Sequence, residues 1–134
     1  MRKTCLDMVH HLAVADPRVV FIGSDLGAGT MAAFARDFPD RFFMEGISEA
    51  HIIGMAAGLA MDGRIPYVNT IASFLTRRCY EQVVLDLCLH RLPVRLLAVG
   101  PPGRDRRPFH GVGVLGGFTT FSAFTNDIRV LLTD

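Results

Sequence analysis

The chain has 134 residues, half of them hydrophobic, and a formal net charge of +1. This length and composition fit one globular domain with its own core and exclude a disordered chain. Because the charge is nearly neutral and the basic and acidic residues are mixed over the first hundred positions, a general electrostatic affinity for nucleic acid is also excluded.

The first third of the sequence alternates between helical and strand patterns. Residues 4–15 have apolar side chains at helical spacing and precede an Asp-Pro pair, which predicts an amphipathic helix. Val19–Gly23 is a predicted buried strand. The polar loop 24–30 follows its carboxyl end, where open α/β sheets bind ligands. A short helix is predicted over residues 31–37, and Pro39 ends it.

The same alternation continues to residue 99. Apolar runs predict strands, and longer stretches with helical spacing predict helices, one of which ends at Asp62-Gly63. In chain order these elements are a strand at 41–44, a helix at 48–61, a strand at 65–70, a helix at 74–90 and a strand at 93–99. The order predicts an α/β fold with a mainly parallel sheet flanked by helices.

The composition changes after Gly100. Residues 101–108 are rich in proline, glycine and charge, which predicts a linker. Residues 109–134 are rich in glycine, threonine and phenylalanine and share no repeat with the preceding sequence. The predicted organisation is therefore a first domain at 1–100, a linker, and an irregular or partly helical tail.

Cys5, Cys79 and Cys88 are odd in number and lack the spacing of a metal site. They are predicted to be free thiols in a reducing compartment. The N-terminal residues do not form the continuous apolar segment of a secretory signal. We therefore expect a cytoplasmic protein and no metal-ligating residue in this chain.

Glu49 is the leading candidate for acid–base chemistry. It lies in the first turn of a predicted helix, after a short strand and a glycine turn, with Ile47, Ile52 and Ile53 expected to enclose it. The helix N-terminus favours the ionised carboxylate, whereas apolar burial disfavours it. Such a group can form a strong hydrogen bond with a heterocyclic nitrogen. The pattern also permits a solvated glutamate that only favours the helix start.

Phe74, Arg77 and Arg78 each have two explanations. Phe74 follows a predicted strand and can stack on a flat ring, although a phenylalanine there is more commonly part of the core. Arg77 and Arg78 suit a phosphate or a partner carboxylate, and they are equally well explained as solvated arginines. The residue types alone leave these roles open.

The first hundred residues contain several ordered motifs. They are Gly46-Ile47-Ser48-Glu49 with residues 54–60, residues 72–76 with Arg78, and Tyr80-Glu81-Gln82, together with residues 23–26 and 38–42. These motifs resemble the pyrimidine-binding domain of transketolase-type thiamine diphosphate enzymes, and the resemblance covers residues 4–100. It implies the α/β thiamine diphosphate-binding fold.

The resemblance also implies roles for individual residues. In that family the glutamate at the position of Glu49 hydrogen-bonds the ring nitrogen of the cofactor's aminopyrimidine and promotes its imino tautomer, so Glu49 is predicted to be catalytic. Phe74 is predicted to pack on the aminopyrimidine, with Ile71 in place of a second aromatic residue. Asp25 and Arg78 are also predicted to lie near the cofactor. His51 is predicted either to face substrate or to cap local structure.

The family holds the diphosphate and a divalent metal ion through a separate domain with a Gly-Asp-Gly motif, which this sequence lacks. The resemblance therefore implies a truncated subunit that is inactive alone. A partner subunit would carry the diphosphate-binding domain with Mg²⁺ or another divalent ion, and thiamine diphosphate would bind across the interface. The implied activity is ketol transfer between sugar phosphates, and the implied assembly is an oligomer.

The tail contains a second, shorter motif. Residues 108–132 resemble the broken third transmembrane helix of Fluc-type fluoride channels, with the break and pore positions at Gly117, Thr120, Phe121 and Phe124. A channel of that kind needs four spanning helices of about 20 apolar residues each, and the tail has one interrupted stretch. A membrane location is not expected. A fluoride channel fragment and a noncatalytic fusion or truncation product are the alternatives to an enzyme subunit.

Overall fold

Four short apolar runs form the strands of one sheet. The structure is a computed structural model that describes residues 2–24 and 29–99. Asp25, the predicted linker 101–108 and the channel-like tail 109–134 lie outside the described residues, so the expectations for them stay predictions.

Helices and strands alternate along the chain as predicted. In chain order they are α1 (Arg2–Ala15), β1 (Val19–Gly23), α2 (Ala32–Asp37), a 3₁₀ turn (Pro39–Arg41), β2 (Phe42–Met44), α3 (Glu49–Met61), β3 (Ile65–Ile71), α4 (Ala72–Arg78), α5 (Tyr80–Gln82), a π-helical segment (Val83–Cys88) and β4 (Arg95–Val99). The predicted strands agree with these bounds except at their terminal residues.

The strands lie in the order β2-β1-β3-β4, and each neighbouring pair is parallel. In this register Gly23, at the end of β1, lies between Met44 of β2 and Asn69 of β3. Because the strands run in one direction, their carboxyl ends and the loops that follow them gather at one edge of the sheet. Open α/β sheets place their ligands at this edge.

Helices cover both faces of the sheet. On one face, α3 and the helical segments after β3 pack against Ile22 and Val68. On the other face, α1 and α2 pack against Val19 and Phe21. Phe21 and Ile22 thus point to opposite sides, as successive residues of a strand must. The predicted α/β architecture, a parallel sheet flanked by helices, is confirmed.

The predicted continuous helix at 74–90 is wrong. The helical region begins at Ala72, and it is interrupted at Cys79, whose φ of −142° and ψ of 22° separate α4 from α5. The chain then widens into the π-helical segment. The buried residues along this region nevertheless keep a regular spacing of four, at Leu75, Cys79, Val83 and Leu87. Apolar periodicity therefore continues across the break and cannot locate it.

An ion pair holds the turn between α1 and β1. Arg18 Nη2 donates to Asp16 Oδ2 at 2.7 Å, and the backbone N–H of Arg18 donates to Asp16 Oδ1 at 2.9 Å. The side-chain bond from Arg18 is the main cause that lowers the pKa of Asp16 from 3.8 to about 2, and the backbone bond adds to it.

This pair predicts a pH dependence of folding. Because folding lowers the pKa of Asp16, the pair stabilises the fold above about pH 4, and this contribution is lost as the pH falls to about 2. Near neutral pH, we expect the urea midpoint of the wild-type chain to be higher than that of Asp16→Asn. The excess should be small, because the pair is exposed. The excess should disappear between about pH 4 and pH 2.

The control is Asp62→Asn, which changes an exposed aspartate in another turn. The difference between its urea midpoint and that of the wild-type chain should be small and should not change over the same pH interval. If the midpoints of the wild-type chain and Asp16→Asn follow parallel curves down to about pH 2, the Asp16–Arg18 pair does not contribute to stability in the way described.

Candidate functional site

Three polar side chains meet at the carboxyl edge of the sheet. Ser24 directly follows β1, Thr70 lies near the end of β3, and Glu49 is the first residue of α3. Their exposed fractions are only 3%, 1% and 3%. The sheet register brings the ends of β1 and β3 side by side, and the backbone N–H of Ser24 extends the ladder by donating to Asn69 O at 3.1 Å. A buried polar cluster at this edge is a candidate functional site.

The Glu49 carboxylate has a donor on each oxygen. Thr70 Oγ1 donates to Oε1 at 3.3 Å, and Arg78 Nη1 donates to Oε2 at 3.2 Å. The Arg78 side chain is 44% exposed, so the buried negative charge is balanced from the solvent side. Burial excludes the alternative in which Glu49 is a solvated residue that only favours the helix start.

The chain enters α3 through a tight glycine turn. Gly46 adopts a φ of 68°, a region that glycine enters without steric cost, and the Ser48 N–H donates back to Gly46 O at 3.1 Å. Ile52 and Ile53 are buried as expected. Ile47, in the middle of the turn, is 71% exposed, so the prediction that it encloses the carboxylate is wrong.

Phe74 and Arg78 lie one turn apart on α4 and contact each other. The carbon at the centre of the Arg78 guanidinium lies 3.6 Å from the centroid of the Phe74 ring. The electron-rich face of an aromatic ring attracts a cation in this position. Arg78 thus connects the Glu49 carboxylate to the Phe74 ring, and three of the residues predicted at the cofactor form one cluster.

Within the described residues, the hydrogen bonds of the Glu49 side chain involve neither Ile71 nor His51. Ile71 is half-buried at the end of β3, directly before α4. His51 is largely exposed, and its Nε2 lies 3.9 Å from Glu45 Oε2. Asp25 lies outside the described residues. Between the two arginines that the sequence leaves open, Arg78 is the one that pairs with Glu49.

Sequence reasoning misses Ser24 and Thr70. Ser24 Oγ donates to Thr70 Oγ1 at 2.9 Å, although the two residues are 46 positions apart. The available signal was a hydroxyl residue at the polar end of each of two predicted strands. Only the pairing of β1 with β3 shows that these two ends are neighbours.

Cys79 is buried near Glu49 and is a poor nucleophile. Its Sγ donates to Leu75 O at 3.4 Å. Burial, and to a lesser extent the negative charge of Glu49, raise the pKa of Cys79 from 9.0 to about 11. Because a thiol is reactive as the thiolate, Cys79 is inert at neutral pH, which leaves Glu49 as the acid–base candidate of the cluster.

Two further features are absent from the described residues. Within residues 2–24 and 29–99, no helix is long and apolar enough to cross a membrane. In the same ranges, no three or more histidine, cysteine, aspartate or glutamate side chains are grouped closely enough to hold a metal ion.

Two curated proteins with similar sequences have the same enzyme name. The 1-deoxy-D-xylulose-5-phosphate synthase of Syntrophus aciditrophicus is 44% identical over 104 residues, which are 75% of this chain and 16% of that protein. The 1-deoxy-D-xylulose-5-phosphate synthase of Desulforudis audaxviator is 46% identical over 84 residues, which are 62% of this chain and 13% of that protein. The chain thus spans about a sixth or less of the length of these relatives.

A solved structure and a family model also match this chain. The structure is described as "Split gene transketolase, inactive beta4 tetramer"; it superposes with a TM-score of 0.67 at 34% identity, over 72% of this chain and 33% of that one. The family model "Transketolase, pyrimidine binding domain" matches residues 1–107. Since this match covers most of the sequence, the chain belongs to the transketolase pyrimidine-binding-domain family.

Proposed function

We propose that this chain supplies the pyrimidine-binding half of a thiamine diphosphate site, in which Glu49 activates the cofactor. The observation that carries the proposal is the Glu49 carboxylate, which is buried at the start of α3 and accepts hydrogen bonds on both oxygens. One of its donors, Arg78, lies over an aromatic ring. The name of the family further supports a pyrimidine as the ligand.

The groups around Glu49 fit an aminopyrimidine ring. Arg78 is itself a planar group that donates an N–H to Glu49 Oε2 and lies against the face of Phe74. A flat heterocycle with a proton on its ring nitrogen needs the same two features, an acceptor for an N–H and an aromatic face. Because the Arg78 side chain is long and 44% exposed, it can move into water and leave both groups to the ring.

Each residue then has a separate task. Glu49 would share one proton with the ring nitrogen: the protonated carboxyl group donates to the neutral ring, and the carboxylate accepts once the proton is on the ring. Phe74 packs on the ring, Ile71 adds apolar contact, and Arg78 neutralises the carboxylate when the ring is absent. The cofactor supplies the carbanion chemistry that amino-acid side chains lack. The proposal also places Asp25 near the cofactor and His51 near the substrate.

The diphosphate and its divalent metal ion are assigned to a partner subunit. The similarity to a split-gene transketolase that forms a tetramer supports this part of the proposal. We propose that this chain associates with a subunit that carries the diphosphate-binding domain, and that the cofactor lies across the interface. We propose that these 134 residues are inactive until they are joined with that domain.

Two transfer reactions are candidates for the complex. Ketol transfer between sugar phosphates is supported by the split-gene transketolase neighbour. The curated relatives favour a second reaction, since their name specifies 1-deoxy-D-xylulose 5-phosphate as the product. A 1-deoxy ketose carries a methyl group at C1 in place of a hydroxymethyl group, so the two-carbon unit built into it is an acetyl unit. Glu49 serves either reaction, because it acts on the cofactor.

Cofactor binding by the reconstituted complex tests the proposal. The chain is purified with and without a subunit that carries the Gly-Asp-Gly motif, and thiamine diphosphate binding is measured by calorimetry with Mg²⁺ present. We expect binding by the wild-type complex and a Kd about tenfold higher for Phe74→Ala, since one aromatic contact is lost. Phe74→Leu keeps more of the apolar contact and should lose less affinity.

Either of two results would overturn the proposal: a stable wild-type complex that does not bind thiamine diphosphate, or a Phe74→Ala complex with the wild-type Kd. Once binding is established, mass spectrometry of the products separates the two reactions. A 1-deoxy ketose phosphate indicates acetyl transfer, and an ordinary ketose phosphate indicates ketol transfer.

A further inference from the structure

Two buried hydroxyl groups form a chain of hydrogen bonds that ends on Glu49. Ser24 Oγ donates to Thr70 Oγ1 at 2.9 Å, and Thr70 Oγ1 donates to Glu49 Oε1 at 3.3 Å. All three side chains are at least nine-tenths buried. This hydrogen-bond chain starts after β1, crosses the end of β3 and reaches the first residue of α3, so it joins three separate elements at the edge of the sheet.

The direction of this chain is fixed by the carboxylate. An ionised carboxylate only accepts hydrogen bonds, so the single hydrogen of the Thr70 hydroxyl must point to Glu49. The lone pairs of Thr70 Oγ1 are then free to accept from Ser24. Hydrogen bonds that run in one direction towards a charge polarise and strengthen one another in a buried site. Ser24 is therefore coupled to Glu49 through Thr70.

The two oxygens of Glu49 differ in how firmly they are held. Oε1 accepts from the Thr70 hydroxyl of β3, which itself accepts from Ser24 Oγ, and the Ser24 N–H is fixed to Asn69 O at 3.1 Å. Oε2 is bound to Arg78, whose side chain is 44% exposed and can be hydrated where it reaches solvent. A ligand can replace Arg78 at Oε2 at much lower cost than it can replace Thr70 at Oε1.

We propose that Ser24 and Thr70 are positioning residues that anchor Glu49 Oε1 and thereby present Oε2 as the oxygen that meets the ligand. The inference rests on the proposed function, because the ligand is the aminopyrimidine ring assigned to Glu49. Neither hydroxyl contacts the ring. Each acts through the carboxylate, by fixing its orientation.

The test compares variants in the complete complex with the partner subunit. Thr70→Val removes the hydroxyl at nearly constant volume, and Thr70→Ser keeps the hydroxyl. Ser24→Ala removes only the hydroxyl that is farthest from Glu49 in the hydrogen-bond chain. Thr76→Val is the matched control, since the Thr76 hydroxyl bonds only carbonyls of its own helix, Ala72 O and Ser73 O. The readouts are the Kd of thiamine diphosphate by calorimetry and kcat at saturating cofactor.

We expect Thr70→Val to lower kcat at saturating cofactor about tenfold, because a hydrogen bond to a charged group is lost. Its Kd for thiamine diphosphate should rise by a similar factor. Thr70→Ser should restore most of the activity, Ser24→Ala should show a smaller loss in the same direction, and Thr76→Val should match the wild type. A loss of packing alone would instead affect Thr70→Ser as much as Thr70→Val.

The proposal is overturned if Thr70→Val keeps the wild-type kcat and Kd, or if Thr70→Ser is as impaired as Thr70→Val. If Thr70→Val does not fold, Ser24→Ala decides: a reduced kcat at saturating cofactor supports the coupled chain, and an unchanged kcat rejects it. These outcomes are distinct from failure of the proposed function, which would appear as a wild-type complex that binds no thiamine diphosphate.

Discussion

Glu49→Gln is expected to lower the kcat of the reconstituted complex by about 100-fold or more, the usual scale for losing a positioned acid–base group. Glutamine has the size of glutamate, but its amide neither exchanges a proton with a ring nitrogen nor balances the charge of Arg78. Glu49→Ala should be at least as inactive, because it also removes the contact with Thr70 Oγ1. The measurement is steady-state turnover at saturating thiamine diphosphate and Mg²⁺.

The matched control is Glu81→Gln, the same substitution at an exposed position of α5. It should leave kcat within about twofold of the wild type, as most surface substitutions do. The urea midpoint of Glu49→Gln should show that the variant still folds, because Arg78 reaches solvent once its partner is neutral. A folded Glu49→Gln complex with wild-type turnover would remove Glu49 from the mechanism.

Phe34→Ala is expected to have the largest effect on stability, a loss of about 3–5 kcal/mol in the free energy of unfolding. The Phe34 side chain is 1% exposed, and its ring centroid lies 5.4 Å from that of Phe38 and 6.0 Å from that of Phe21. Truncation leaves a cavity between α2 and the sheet. Since domains of this kind are stable by about 5–15 kcal/mol, the variant should be close to unfolding.

Urea denaturation of the chain measures this loss, and Phe74→Ala is the matched control. Phe74 is half-buried and lies under an exposed guanidinium, so the same truncation should cost much less stability there. The two variants are expected to separate folding from function: Phe34→Ala loses stability, and Phe74→Ala loses cofactor affinity. Equal losses of stability would show that Phe74 is a core residue, which is the commoner role of a phenylalanine at such a position in the sequence.

Most of the fold follows from local patterns. Val19–Gly23 is predicted because the apolar run lies between a Pro-containing turn and a polar loop, and the observed β1 has these bounds. The start of α3 is predicted because a glycine turn precedes an acidic residue and an apolar helix. The break at Cys79 is not predictable in this way, because the core-facing residues keep helical spacing on both sides of it.

The site is only partly predictable for a different reason. Glu49 is identified by its place at a helix start, which is a local property. Its contacts with Thr70 and Arg78 depend on how β3 and α4 pack around α3, and the contact of Thr70 with Ser24 depends on strand register. The exposure of Ile47 is not predictable from its hydrophobicity, because the direction of its side chain depends on the geometry of the turn at Gly46.

The proposed replacement of Arg78 by the ligand implies a two-state equilibrium, with the guanidinium either against the Phe74 ring, as in this structure, or out in water. A ligand that needs both groups binds only the second state. Its apparent dissociation constant is therefore the intrinsic constant divided by the population of that state. If this population is about one tenth, affinity falls about tenfold. Affinity at this site is thus open to adjustment by any change that shifts the Arg78 populations, including changes that never touch the ligand.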